Sequence, residues 1–171
     1  MEVVFIPLVG TPVLRALGAI GWRRFATWHA SAAHALAVML LMTAAAHFVP
    51  DSVTAMPSHD DMVAMVPPFV PWPSLAVYAT GVLELLGAAG LVHPTTRRAA
   101  GLCLAALFAV MLPANVYAAV ADIPLNGTPA TPLWIRIPEQ VLYIGIALWA
   151  AKAAPLRAGT APRRVATSRT G

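Results

Sequence analysis

The chain has 171 residues, of which 59% are hydrophobic and only 11% charged, and its mean hydropathy is +0.73. A soluble globular domain carries about a quarter charged residues, so this composition excludes an ordinary soluble domain and points to a single membrane-embedded one. The formal charge of +4 does not point to nucleic acid, because the basic residues flank apolar runs, which is a topology signal. Cys103 is the single cysteine, which excludes an intrachain disulfide, a CxxC motif and a cysteine-based zinc site.

In chain order, residues 1–30 are expected to form an interfacial or partly inserted helix. Residues 3–14 are apolar but hold Pro7, Gly10 and Pro12, and Arg15 follows at once; this is shorter than the ~20 residues a spanning helix needs. A fifth span is the alternative. A signal peptide would place its basic residues before the apolar run, whereas here they follow it. The first span is expected at 31–49, interrupted by His34, Thr43 and His47 and ended by Pro50 and Asp51. Residues 51–73 contain Asp60 and Asp61 but no Lys or Arg. Pro67, Pro68, Pro71 and Pro73 bar a continuous helix after Val66, so the stretch reads as a loop with a short surface helix near 59–65.

The second span, 74–92, carries one carboxylate, Glu84, near its middle. A charge at that depth costs roughly 2.5–3.5 kcal/mol on insertion scales. Thr80, Gly81, Gly87 and Ala88 lie three and four residues from it, and small residues mark the face of a membrane helix that packs on other helices. Glu84 is therefore expected to face protein, with Val82, Leu83, Leu85 and Leu86 off that face. A turn with Arg97 and Arg98 leads to the third span, 99–120, in which Pro113 should introduce a kink and Asn115 follows it. Residues 122–132 are a second loop without Lys or Arg, turning at Asn126-Gly127. The fourth span, 133–151, places Arg136, Glu139, Gln140 and Tyr143 on one helical face. Residues 152–171 read as a basic, disordered cytoplasmic tail. The fold class expected is all-α, a polytopic membrane four-helix bundle.

Of the eleven Lys and Arg residues, Arg136 alone lies away from the N-terminal segment, the 97–98 turn and the tail. The positive-inside rule then puts both termini and that turn in the cytoplasm and both long loops outside. In this orientation His47, Asn115, Arg136, Glu139 and Gln140 belong to the outer half, and Glu84 lies about 15 Å below the outer surface at roughly 1.5 Å per residue. Arg136 and Glu84 are expected to form one buried electrostatic unit, directly or through Asn115, Gln140 or a water. Such a cluster suits a helix-packing network, a small-molecule or quinone-type pocket, or proton or ion movement. His34 and His93 could bracket a haem, and Met56, His59, Met62 and Met65 could offer soft copper ligands. Hydrated histidines and an amphipathic loop helix are the plainer readings, and Cys103 is expected to be a buried, inert thiol.

Six short motifs carry a resemblance: His47-Phe48; MVPPxxPxP at 65–73; VYxTGxxE at 77–84; Pro94-x-Thr96-Arg97-Arg98; Pro113-Ala114-Asn115; and WxRxPxQ at 134–140. In this order over four spans they resemble the DoxX family of small integral membrane proteins, over roughly residues 33–149. The resemblance implies four transmembrane helices in the cell membrane and an accessory membrane subunit of a redox system, quinone-linked or of the oxidative-stress kind. A quinone or lipid would occupy the polar pocket, and a soluble oxidoreductase partner would supply the electron chemistry. The candidate ligand-binding residues are His47, Tyr78, Glu84, Asn115, Arg136, Glu139, Gln140 and Tyr143. No metal, no covalently bound cofactor and no nucleic-acid partner is expected, and no catalytic residue is assigned. The second class is a non-enzymatic membrane protein that binds a lipid or small amphiphile, or scaffolds a partner.

Overall fold

Alanine- and leucine-rich runs punctuated by proline and capping residues divide the chain into helices. The computed structural model describes residues 2–152. Among them lie α1 (Phe5–Ala19), α2 (Trp28–Ala46), α3 (His59–Ala64), α4 (Pro73–Val92), α5 (Arg97–Val120) and α6 (Leu133–Ala151), with no strand. The fold is all-helical, and α2, α4 and α5 are long and apolar enough to cross a membrane. The expected tail of residues 153–171 lies outside the described residues.

Local chemistry explains the boundaries. Thr27 is extended and its side chain accepts from the Ala30 N–H, so α2 starts at Trp28, three residues before the expected span. Ser58 and Asp61 form a reciprocal capping box that nucleates α3. Pro73 occupies the first turn of α4, where its missing N–H is harmless. Helix α5 continues through Pro113, as α6 does through Pro138. The Asn126-Gly127 turn forms as expected, with both residues at positive φ and reciprocal backbone hydrogen bonds between Leu125 and Thr128.

Helix α2 packs against α1, α4 and α6, while α5 packs against α4 and α6. The four longer helices thus close a ring, with α1 lying outside it against α2. Leu36, Met39, Leu40, Leu91, Leu104 and Phe108 fill the centre, together with many alanines. Small residues let the backbones approach: Gly87 sits against Leu104, and a Cβ on Gly101 would come within 2.6 Å of the Ala147 carbonyl. On α4, Val77, Gly81, Glu84, Gly87, Ala88 and Leu91 are buried, while Val82, Leu83, Leu85 and Leu86 are exposed. The face expected from the small residues around Glu84 is the face that packs.

Two assignments change. Cys103 is exposed, not buried, because α5 turns Gly101, Leu104, Ala105 and Phe108 inward and leaves position 103 on the outer side. Arg97 is more than a topology marker. It is buried, and its Nε donates to the Leu91 carbonyl at 2.8 Å and its Nη2 to that of Val92 at 3.4 Å. With Thr96 Oγ1 donating to the Gly90 carbonyl at 2.9 Å, it satisfies the free carbonyls at the end of α4, where a cation also complements the helix dipole.

Candidate functional site

Three polar groupings lie between the helices. The first joins α2 and α4. Glu84 is only 3% exposed, and Thr43 Oγ1 donates to its Oε2 at 2.9 Å. Thr43 reaches it because α2 and α4 run antiparallel, with Gly81 placed directly against His47.

The second joins α5 and α6. Arg136 Nη1 donates to Asn115 Oδ1 at 2.8 Å, Asn115 Nδ2 donates to Gln140 Oε1 at 3.3 Å, and Gln140 Nε2 donates to the Phe108 carbonyl. Pro113 removes the backbone donor that would have met Ala109, one residue along from Phe108. The side-chain chain therefore runs beside a stretch of helix already short of donors. Arg136 Nε is buried with no partner among the described residues. Glu139 and Tyr143 are half-buried on the same helix, and the Tyr143 ring lies 6.0 Å from that of Phe108.

The third is at the rim, where α2 ends and α4 begins. His59 of α3 shares its Nδ1 with the His47 carbonyl at 2.8 Å and its Nε2 with Ser74 Oγ at 2.9 Å. The carbonyl can only accept, so Nδ1 carries a proton. The His59 ring stacks on Tyr78 with centroids 4.0 Å apart, and Phe48 lies 5.9 Å from Tyr78. His47 is buried, with its own Nδ1 on the Thr43 carbonyl at 3.3 Å. Both nitrogens of His59 are thus engaged in tying α3 to α2 and α4. His34 is buried with Nδ1 on the Ala30 carbonyl at 2.7 Å, whereas His93 is exposed beside Thr95.

The eight candidate residues therefore divide. Asn115, Arg136 and Gln140 form one chain with Glu139 and Tyr143 beside it, while His47 and Tyr78 meet His59 at the rim. Glu84 belongs with Thr43, and no ion pair joins it to Arg136. The expected direct pair fails because each group finds its donor or acceptor on the helix it packs against. Sequence reasoning treated Thr43 only as a polar interruption and missed the His59–Tyr78 stack. Thr43 stands one turn before His47 on α2, and that spacing was the available signal for a shared polar face.

An apolar groove of about 580 Å³ runs between Pro67, Pro68 and Phe69 of the proline-rich loop and the outer side of α5, including Pro113 and Tyr117. Glu84, Arg136 and Gln140 are not part of its lining. A family model described as a domain of unknown function, DUF8561, matches residues 36–152, from the middle of α2 to the end of α6. No curated protein matches the chain, and no solved structure does.

Proposed function

The chain belongs to the DUF8561 family, whose description assigns no reaction, and from the resemblance to DoxX proteins together with the polar groups between its helices we propose an accessory membrane subunit of a redox system that holds a quinone-type head group in the outer half of a four-helix membrane bundle. In this reading α2, α4, α5 and α6 all span the bilayer, α1 is partly inserted beside α2, and both termini are cytoplasmic. Exposed Val38, Leu41, Leu83, Leu86, Leu102, Val110 and Val141 then face lipid, as does Cys103. Helix α1 has 15 residues, about 22 Å of helix, which is short of a typical hydrocarbon core. The reading is carried by Arg136, whose buried Nε lacks an acceptor among the described residues. Buried donors in native proteins are nearly always satisfied, and a quinone carbonyl is an acceptor that the lipid phase supplies. The electrons come from a soluble oxidoreductase partner.

Stabilisation by decylubiquinone in mild detergent tests this. The parent protein should show a higher thermal midpoint with the quinone, and Arg136→Gln should lose that shift. An equal shift in both proteins, or none in either, contradicts the assignment. A second reading is favoured by the hydrogen-bonded chain from Arg136 through Asn115 and Gln140 to Phe108, which resembles a clamp between α5 and α6. There the protein is non-enzymatic and binds a lipid or small amphiphile, or scaffolds a partner. Arg136→Gln would then lower stability to the same degree with and without quinone.

A further inference from the structure

At the end opposite the polar groupings, a cleft of about 500 Å³ is lined by Arg23, Arg24, Arg97 and Lys152, with Thr27 and His29 at the start of α2. These cations come from three places in the chain: the turn before α2, the first residue of α5 and the end of α6. Among the described residues no carboxylate lines the cleft; the acidic residues of the sequence are Glu2, Asp51, Asp60, Asp61, Glu84, Asp122 and Glu139, in the N-terminal turn, the two loops and the polar groupings. Arg97 sharpens the point. It is only 7% exposed, and two of its nitrogens are fixed on the neutral carbonyls of Leu91 and Val92. A buried cation without an anionic partner is costly, and this one lines a cleft that an anion can enter.

We propose that this cleft binds a phosphate group, supplied by the head of an anionic phospholipid. Four cations and, among the described residues, no acid in the lining match an anion of one or more full charges, and Arg97 presents a fixed guanidinium of the kind that recognises phosphate oxygens. Val92, Pro94, Ala26 and Ala30 share the lining, so the cleft has apolar walls suited to the glycerol and upper acyl carbons. Basic pockets between membrane helices on the cytoplasmic side bind anionic head groups in this way. The placement rests on the membrane orientation proposed above, but not on the Arg136 site.

The test compares the parent, Arg23→Gln/Arg24→Gln and Arg98→Gln in nanodiscs of phosphatidylcholine with and without phosphatidylglycerol. Arg23, Arg24 and Arg98 are all exposed, and Arg98 is not part of the cleft lining. Native mass spectrometry should find phosphatidylglycerol retained by the parent and by Arg98→Gln. Retention by the double variant should be about thirty-fold weaker, since each cation near an anionic surface contributes roughly 1 kcal/mol. Equal retention by all three proteins, or equal loss in Arg98→Gln, overturns the site in favour of diffuse surface charge. Inorganic pyrophosphate added in detergent without anionic lipid distinguishes the source. Protection of the parent, but not of the double variant, by pyrophosphate with no phosphatidylglycerol retained supports a phosphate site and overturns the lipid source. Loss of quinone stabilisation with lipid retention intact would overturn the Arg136 reading and leave this one standing.

Discussion

Where α2 and α5 finish and α4 and α6 begin, the connections are long and carry Asp51, Asp60, Asp61 and Asp122. They are held by a capping box, a His59–Tyr78 stack and a two-residue turn. At the opposite end α4 and α5 are separated only by residues 93–96, and the charged residues there, Arg23, Arg24, Arg97, Arg98 and Lys152, are all basic. One end keeps its polar chemistry between the helices, at Glu84, Asn115, Arg136 and Gln140. The other has a tight alanine and glycine contact and uses a cation as a helix cap. At one end single charges sit among neutral hydrogen-bonding side chains, with Arg136 Nε left over, whereas at the other several cations gather around one cleft.

The tight end should be the less forgiving. Gly101→Ala pushes a methyl within 2.6 Å of the Ala147 carbonyl, inside a continuous helix, whereas the same change at Gly81 meets the His47 Cβ at 2.6 Å, at the C-cap of α2 where the chain leaves the helix and can shift. We expect Gly101→Ala to lose about 3 kcal/mol by overpacking, more than Gly81→Ala. Gly145→Ala, with open space around it, should be near neutral. Thermal midpoints in one detergent rank the three, and a larger loss at Gly81 would reverse the comparison.

Next in size, Arg97→Ala removes its two donors from the Leu91 and Val92 carbonyls at the end of α4 and should lose about 2 kcal/mol. Exposed Arg98→Ala should stay within about 0.5 kcal/mol of the parent. Equal effects would show that the two arginines serve topology alone. At the other end Thr43→Val deprives Glu84 of its hydroxyl donor and should lose about 1 kcal/mol, measured by chemical unfolding in mixed micelles. No loss would place the carboxyl against another donor. The smallest expected effect is a coupling. Glu84→Gln and Arg136→Gln share no partner, so the double mutant should be additive within about 0.5 kcal/mol. A larger coupling would restore the single electrostatic unit that depth and facing suggested.

Much of the fold was legible in the sequence. Small residues three and four positions from Glu84 identified the packing face of α4, and the Asn-Gly pair located its turn. The capped α3 fell inside the expected window, and proline and polar breaks set most helix limits within a few residues. What remained hidden depends on which helices adjoin and in what register. Depth along a helix can be counted, so Glu84 and Arg136 invited pairing, but only packing shows that Thr43 lies across from one and Asn115 from the other. Cys103 was misplaced because α5 is apolar around most of its circumference, so alternation could not separate an inward position from an outward one. Arg97 looked like an ordinary flanking charge, since a cap that reaches back six residues leaves no periodic mark.

Both proposed sites require the two ends of the bundle to lie on opposite sides of a membrane, with the acidic loops outside. Reporter fusions at Asp60, Gly127 and Thr96 test this arrangement in cells. Reporters at Asp60 and Gly127 should read outside while one at Thr96 reads inside. A Thr96 reporter reading outside, or Asp60 and Gly127 falling on different sides, would contradict it and remove both the outer-half site and the cytoplasmic phosphate cleft.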